Sequence, residues 1–464
     1  MKTDNAIRET IEVERKAPWQ KRLAAGIEEF FTGHKRLIGY IHLAMLIMFT
    51  ALILIPPFLP APPEEATPLN NFTVFARFLF WGIWFPLVLL STVVFGRIWC
   101  GVFCPQGALA EYANKVGINK KSPSWLRWEG TPILSFVFVT VLGQLVGVRD
   151  YPLPVVEIFG GTMLLAAVVG FIYTKRYRTW CRYLCPIGSL LGIFSRLGMV
   201  SFEENRPGSK VTGFKKAACP TFIGLAGKST GRHCIECFKC ADHSNAGAMA
   251  LAFRKPGTEI ENISKSAPSI YEVIFLFGAT GLALGAFHWQ ANPFYILFKQ
   301  TIGEFLLVVG LGEFIGGSGP WWAMANYPEA GEVFNWLDFI SIGSFMLLGL
   351  TVATVVLFAF TTATAFLAYG RNTTVRRVTE LGYFYAPVAM ISIVIGLGQM
   401  LFQAMGEMGL PPVAVKGVQT TLFAGGALWS LYLAYKVPGR LGLHLIPSAA
   451  GIGLVAWAWK MVIF

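Results

Sequence analysis

The sequence predicts an all-α polytopic membrane protein with about nine transmembrane helices plus a re-entrant or interfacial helix. Of its 464 residues, 54% are hydrophobic and only 14% are charged, whereas soluble domains carry about 25% charged residues. Apolar stretches long enough to cross a bilayer recur along the chain, and most of its Lys and Arg residues fall on one predicted side of them. The length excludes a small disulfide scaffold, and the aromatic content of 14% excludes a disordered chain.

Nine stretches have the apolar length, at least about 17 residues, that a hydrocarbon core about 30 Å thick demands of a helix. The predicted spans are 37–59, 73–96, 131–148 and 155–174 in the first half, then 269–288, 338–369, 383–405, 418–435 and 441–462. Residues 1–36 are mostly polar. No cleavable signal peptide is therefore expected, and the first span stays in the protein.

The basic residues predict the orientation, because Lys and Arg accumulate on the cytoplasmic side of membrane proteins. With the N-terminus inside, 33 of the 38 Lys and Arg residues lie in the segments 1–36, 97–130, 175–268, 371–382 and 436–440. We therefore expect the N-terminus and the long polar insert to be cytoplasmic. The net charge of +12 then reflects orientation in a lipid bilayer, and no nucleic-acid partner is expected.

The segment 289–337 is predicted to lie outside, with a re-entrant or surface-lying helix near 294–316. A full span there would move the basic residues of 371–382 to the outside. Its run Gly316 to Trp322 and its acidic residues suit a periplasmic face, with Trp321 and Trp322 at the membrane interface. A plain loop that seals the bundle is the alternative.

A repeat carries four of the eight cysteines. Residues 96–117 and 177–198 share the pattern W-C-x3-C-P-x-G-x-L at a constant offset of 81. Each copy follows a span that runs from outside to inside, so both units point the same way. A pseudo-twofold axis along the membrane normal relates such parallel repeats, and it can bring together Cys100, Cys104, Cys181 and Cys185.

The local geometry of each repeat is also predicted. Cysteines four residues apart on a helix share one face, with Cβ atoms about 5–6 Å apart. Pro105 and Pro186 are expected at the first position of a new helix, where proline is favoured. Three interpretations remain open: a disulfide pair, which the reducing cytoplasm disfavours; inert buried cysteines; and a shared four-thiolate metal site, which would suit iron–sulfur, zinc or Cu(I).

The polar insert at 175–268 holds the other four cysteines, as Cys219-Pro220 and then Cys234, Cys237 and Cys240 in a C-x2-C-x2-C run. Three cysteines from one tight loop and one from elsewhere form the ligand pattern of a ferredoxin-type 4Fe–4S cluster. One such cluster is predicted here. Zinc is the alternative, with His233 or His243 completing the site, although zinc ribbons use two separated C-x2-C pairs.

These motifs resemble the polyferredoxin-like membrane proteins typified by NapH, NosR and CcoG. The resemblance covers roughly 37–265 and rests above all on the two Cys-Pro turns. It implies a bacterial inner-membrane electron carrier that serves periplasmic reductases, cofactor maturation or metal handling. Relatives commonly have two ferredoxin clusters, whereas this insert has cysteines for one, and the cysteine-free half 269–464 is additional.

The overall size and layout are similar to the ferredoxin-like subunit encoded with bacterial ferrous-iron permease systems. That similarity implies iron or copper handling, a periplasmic or membrane redox partner such as a cupredoxin or a permease, and a cytoplasmic electron donor or acceptor. The alternatives are a maturation or regulatory factor for a periplasmic metalloenzyme, and a permease subunit with a structural metal site. No substrate site for an enzyme is indicated.

The sequence divides into a cytoplasmic segment 1–36, a four-helix membrane unit 37–198, the cluster insert 199–268 and a cysteine-free membrane domain 269–464. Five basic residues lie close to the cysteines and are expected to offset cluster charge and to attract an acidic soluble donor, with anchoring of the cytoplasmic face as the alternative: Arg97, Arg178, Arg182, Arg232 and Lys239. Haem is a further possibility because His42, His288 and His444 lie near the ends of predicted spans, where packing histidines are the alternative.

Overall fold

The computed structural model describes residues 19–173, 177–204, 219–225, 228–241, 249–290 and 292–463. The α-helices of the first half are α1 (Trp19–Gly33), α2 (Lys35–Leu54), α3 (Phe72–Arg77), α4 (Phe85–Phe95), α5 (Pro105–Val116), α6 (Thr131–Leu145), α7 (Pro152–Val155), α8 (Gly161–Ile172), α9 (Thr179–Tyr183) and α10 (Gly188–Phe194). Wider π-helical turns lie at Phe78–Trp84, Trp99–Phe103 and Val156–Gly160.

The second half is also mainly helical. Its α-helices are α11 (Thr258–Glu261), α12 (Ile270–His288), α13 (Pro293–Val308), α14 (Gly312–Gly316), α15 (Trp336–Tyr369), α16 (Val375–Gly382), α17 (Ala386–Leu397), α18 (Gln399–Glu407), α19 (Pro412–Lys436) and α20 (Leu445–Ile463). The strands form two antiparallel two-stranded sheets, β1 (Val200–Glu204) with β2 (Met249–Phe253) and β3 (Asn326–Tyr327) with β4 (Glu332–Val333).

Six helical segments are long and apolar enough to cross a membrane, and they confirm the predicted all-α polytopic class. They are Lys35–Phe58, Phe72–Phe95, Pro152–Ile172, Ile270–His288, Trp336–Asn372 and Val375–Leu397. Helices α6, α19 and α20 lie at the three remaining predicted spans, so the total of nine stays a prediction. Helix α13 lies where the re-entrant or interfacial helix is predicted.

The bounds of one predicted span, 383–405, are wrong. The helical segment there begins at Val375, because the Thr374 side chain accepts a hydrogen bond from the Arg377 backbone at 3.4 Å and caps the helix start. It is interrupted at Gly398, between α17 and α18. Apolarity alone located this span, but the cap and the break determine its ends.

The two cysteine repeats pack directly against each other. Helix α5 follows the first cysteine turn and lies along α8, which precedes the second. The buried Asn114 amide on α5 donates to the backbone oxygens of Gly170 and Tyr173, both at 2.9 Å. These contacts hold the two turns at the same end of the bundle.

The cluster insert is covered by the N-terminal helix α1. The rings of Phe31 on α1 and Phe238 in the insert stack with centroids 4.5 Å apart, and the Leu251 amide of β2 donates to the Glu28 carboxylate at 2.7 Å. A buried ion-pair network then joins the base of the insert to α12, with Arg196 bound to Glu259 at 2.8 Å and to Glu272 at 2.7 Å. The insert is thus held between α1 on one side and the membrane helix α12 on the other.

Candidate iron–sulfur site

The first cysteine turn is built from a π-helical turn and a helix cap. Cys100 lies within Trp99–Phe103. Cys104 is the N-cap of α5, where its sulfur accepts a hydrogen bond from the Gly107 amide at 3.4 Å. Pro105 is the first residue of α5, which confirms its predicted position.

The predicted single helix face for each cysteine pair is wrong. Cys104 has an extended backbone (φ −68°, ψ 116°), and Cys185 lies beyond the end of α9 at Tyr183. The cause is the following proline, which disfavours the helical region for the residue before it. Pro186 is the equivalent of Pro105 in the second repeat. It lies two residues before α10, so the prediction that it begins a helix is wrong.

All four repeat cysteines nevertheless line one cavity, of about 250 Å³. Cys100 and Cys185 are buried, and Cys104 and Cys181 are half-buried. The two repeats meet closely, since a Cβ placed on Gly107 of the first repeat would lie 3.4 Å from the Cys181 sulfur of the second. The four thiols therefore face a shared space, which we call the membrane-surface thiol site.

Equivalent arginines of the two repeats are buried beside this site. Arg97 lies 3.7 Å from the Cys100 sulfur through Nη2, and its Nη1 donates to the Arg232 backbone oxygen at 2.8 Å. Arg178 donates to the Cys100 backbone oxygen at 2.8 Å and pairs with Glu111 at 2.8 Å. Their exposed fractions are 3% and 1%, so these two cations are positioned to offset negative charge at the thiols and are too buried to attract a soluble donor.

Replacing Arg97 with glutamine is expected to make the reduction potential of the membrane-surface thiol site more negative once iron is bound. A cation about 4 Å from the charge contributes about 4 kcal/mol at a dielectric constant of 20, so the shift is at most about 170 mV. Potentiometric titration followed by EPR spectroscopy measures it. Arg97→Lys keeps the charge and should retain most of the potential; equal shifts in both variants would assign Arg97 a packing role only.

The insert cysteines line a second, smaller cavity of about 20 Å³, and all four of Cys219, Cys234, Cys237 and Cys240 contribute to it. Backbone N–H groups point at the sulfurs, from Glu236 to Cys234 and from Lys239 to Cys237. The structure thus brings together the four residues that the sequence predicts as one ligand set.

The backbone around this insert cavity is strained in a way that favours a bound anion. Phe222, Glu236 and Phe238 have positive φ values of 61°, 50° and 60°, which non-glycine residues adopt only where the surroundings require it. Successive residues that alternate in this manner aim their N–H groups into one concave nest, the arrangement found at many iron–sulfur sites. The donor set and the backbone therefore fit a 4Fe–4S cluster.

Burial keeps the thiols of Cys234, Cys237 and Cys240 protonated until a metal displaces the proton. It raises the pKa of Cys237 to about 11 and raises the pKa values of Cys234 and Cys240 as well, although the Lys228 ammonium opposes the shift at the last two. A coordinated thiol loses its proton outright. Loading of this site is thus expected to release protons.

The zinc alternative gains no support at the insert. His233 is not among the residues that line the cavity, and His243 lies outside the described residues. Within the described residues, no group of three or more His, Cys, Asp or Glu side chains is set closely enough to hold a single metal ion. Both cysteine sets surround cavities instead.

Contacts of the insert with the first cysteine turn bring the two cysteine sets side by side. A Cβ placed on Gly101 would lie 2.1 Å from the Ile235 oxygen and 3.0 Å from the Cys237 nitrogen. Gly101 is the residue after Cys100, so the backbones that carry one cysteine of each set touch. The repeat pattern alone does not single out Gly101. The signal that could have found it is a difference between the repeats, because the second repeat has Arg182 at the equivalent position.

A buried polar network reinforces this contact. The Arg178 amide donates to the Pro220 oxygen at 2.7 Å, next to Cys219. Glu111 pairs with Arg178 on one side and with Lys239 at 2.7 Å on the other. Burial favours the neutral carboxyl of Glu111, but the two cations outweigh it and hold its pKa well below its usual range. One carboxylate therefore joins both cysteine sets.

Two of the histidines considered for haem bind backbone groups. His42 Nε2 lies 3.1 Å from the Gly101 oxygen, and His288 Nε2 lies 3.0 Å from the Ala458 oxygen. No histidine lines the cavity of the membrane-surface thiol site, which is fully within the described residues. The geometry favours the packing interpretation for His42 and His288.

Comparison with known proteins identifies the repeat unit. A family model described as a 4Fe–4S binding domain matches twice, at residues 78–124 and 157–202. Each match contains one W-C-x3-C-P turn with the span before it. A protein of Methanocaldococcus jannaschii without a functional description is 30% identical over 182 residues, covering 36% of this chain and 70% of that protein. The chain belongs to this family of polyferredoxin-like membrane proteins.

Other relatives carry names that refer to electron transport or to ferredoxins. YccM of Escherichia coli, a candidate electron transport protein, is 23% identical over 245 residues, covering 47% of this chain and 68% of YccM. The methylamine utilization ferredoxin-type protein MauN of Methylorubrum extorquens is 28% identical over 136 residues, covering 26% of this chain and 46% of MauN. No solved structure matches the chain.

The residues that match the 4Fe–4S binding family model are those of the two repeats. Cys100, Cys104, Cys181 and Cys185 fall inside the two matched ranges, whereas the insert cysteines from Cys219 onward fall outside them. The family thus supports an iron–sulfur cluster in this chain. It also supports membrane electron transfer as the class of function, with multi-pass membrane localisation.

Proposed function

We propose that the protein carries single electrons between the cytoplasmic side and a membrane or periplasmic redox partner, using two 4Fe–4S clusters. Cys219, Cys234, Cys237 and Cys240 would hold one cluster, and Cys100, Cys104, Cys181 and Cys185 would hold the other. Clusters of this type supply one-electron redox chemistry at potentials that the surrounding protein tunes. The observation that carries the proposal is the backbone contact between Gly101 and Ile235–Cys237.

The protein's own residues would hold, shield and tune these sites. Arg97 and Arg178 supply buried positive charge beside the membrane-surface thiol site. The apolar cavity of that site excludes water with aromatic walls, in which Trp99 contacts Trp84 at 5.2 Å and Trp84 contacts Phe49 at 5.5 Å between ring centroids. The buried positive charge stabilises the more reduced and more negative state of a thiolate-bound cluster, and the exclusion of water strengthens this attraction.

The extent of the same cavity across the bundle supports the proposed location of the redox partner. Its lining extends from the four thiols to Trp81 and Arg149. Trp81 belongs to the first half of the span Phe72–Phe95, while the thiols follow the end of that span, so the cavity runs from one face of the bundle towards the other. This extent supports a redox partner in or beyond the membrane, opposite the cysteines.

We place this electron transfer in the bacterial inner membrane, in iron or copper handling, with the N-terminus and the insert in the cytoplasm. The distribution of Lys and Arg supports the orientation. The long cysteine-free half and the layout shared with ferredoxin-like subunits of ferrous-iron permease systems support the process, with a cupredoxin or a permease as the partner. A factor for maturation of a periplasmic metalloenzyme would share the clusters and differ in the final acceptor.

Anaerobic purification of the full chain is expected to yield about eight iron and about eight acid-labile sulfide per polypeptide, since two four-iron clusters are proposed. Stopped-flow oxidation of the reduced protein by cupric ion, ferric ion or a cupredoxin then tests the process. Rapid reoxidation by one of them supports metal handling, and reoxidation by none would leave electron transfer in place but contradict that assignment. A preparation that binds zinc and no iron would end the proposal.

A further inference from the structure

We propose that a second cavity, at the end of the bundle opposite the cysteines, is a binding site for a small anionic group of the carboxylate or phosphate type. The cavity has a volume of about 640 Å³ and is lined by residues within 52–62 at the end of the first span, 73–81 at the start of the second, 149–155 at the start of the fourth, and 326–330. Its volume is within the range of about 300 to 1,000 Å³ that small-molecule sites occupy. We call it the outer cavity.

Arg149 is the principal cation of the outer cavity. It lies in the connection between α6 and α7, and its guanidinium stands over the Phe287 ring at 5.2 Å. Among the described residues it forms no ion pair and no hydrogen bond, and Asp150 is the one carboxylate that acts on its charge. A half-buried arginine without a bonded anion keeps unused hydrogen-bond donors, and its planar fork of donors matches carboxylates and phosphates.

Further donors of the outer cavity also lack acceptors among the described residues. Trp81 is 6% exposed and its Nε1 has no hydrogen-bond partner, and the Thr73 hydroxyl likewise has none. Both residues line the outer cavity, as does the exposed Arg77. An indole N–H and a guanidinium only donate hydrogen bonds, so the set calls for a ligand rich in acceptors.

The outer cavity also has two carboxylates, Asp150 and Glu329, and both are exposed to solvent. Water and salt screen exposed charges, whereas Trp81 is buried and Arg149 is half-buried. The balance at the base of the cavity is therefore positive. This base is where the outer cavity meets the apolar cavity of the thiol site, because Trp81 and Arg149 line both.

The anionic group can come from a free solute or from a phospholipid headgroup, and the two sources are separable. Calorimetric titration of the detergent-solubilised full chain with citrate and with inorganic phosphate tests the first source. Native mass spectrometry of the same preparation tests for a retained phospholipid. The site needs no iron–sulfur cluster, so its success or failure is independent of the proposed electron transfer.

Arg149→Gln is expected to weaken citrate or phosphate binding at least about tenfold, or to release the retained lipid, because one charge-assisted hydrogen-bonding partner is lost. Arg371→Gln removes an exposed cation outside the outer cavity and should bind as the unmodified protein does. Trp81→Phe keeps the ring packing and removes the Nε1 donor, so a smaller loss of anion binding is expected. This variant tests the site independently if Arg149→Gln fails to fold. Absence of solute binding and of retained lipid in the unmodified protein, or equal binding in Arg149→Gln and Arg371→Gln, would overturn the proposal.

Discussion

Replacing Cys181 with serine is expected to remove the cluster of the membrane-surface thiol site and to leave the insert cluster intact. Cys181 lines the same cavity as the three other repeat cysteines, and it is the first cysteine of the second repeat. A serine hydroxyl is a poor replacement for a thiolate ligand to iron. The iron content should fall from about eight to about four per chain, measured together with the EPR spectrum of the reduced protein.

Cys237→Ser is the reciprocal variant, because Cys237 belongs to the insert set on the other side of the Gly101 contact. It should remove the complementary EPR signal and spare the one lost in Cys181→Ser. Circular dichroism and detergent gel filtration would verify that both variants keep the fold. An unchanged iron content in Cys181→Ser would refute a cluster shared by the two repeats.

The grouping of the eight cysteines was predictable from sequence, whereas their local geometry was only partly so. The constant offset of 81 residues predicts that the repeats combine, and the structure lines one cavity with their four thiols. The single-helix geometry predicted for each pair was wrong, because Pro105 and Pro186 force Cys104 and Cys185 out of the helical conformation. Attention to the residue before each proline would have avoided the error.

The contacts that join the two sites lay beyond what sequence patterns reveal. Arg178 reaches Glu111 and Pro220 from distant parts of the chain, and neither contact follows from periodicity or spacing. The outer cavity is likewise assembled from the ends of separate helices, so that Arg149 and Trp81 meet only in the folded protein. The π-helical turn around Cys100 also has no counterpart in the repeat pattern.

Gly101→Ala is expected to slow electron exchange between the two cysteine sets, because the added Cβ would lie 2.1 Å from the Ile235 oxygen. Such a contact is impossible without movement, and the atom it meets is backbone. The insert loop and the first cysteine turn must therefore separate, while all eight cysteines are kept. We expect about eight iron per chain in the variant and a weaker magnetic interaction between the two reduced clusters by EPR.

The matched control is Gly224→Ala, since Gly224 lies in the same insert and a Cβ there meets nothing within 4 Å. It should keep both the iron content and the interaction between the clusters. If Gly101→Ala also keeps the interaction at full strength, the backbone contact does not set the separation of the two sites. If Gly101→Ala loses iron from one site alone, the contact serves cluster assembly. Electron exchange between the sites could not then be compared, because it requires both cysteine sets to hold clusters.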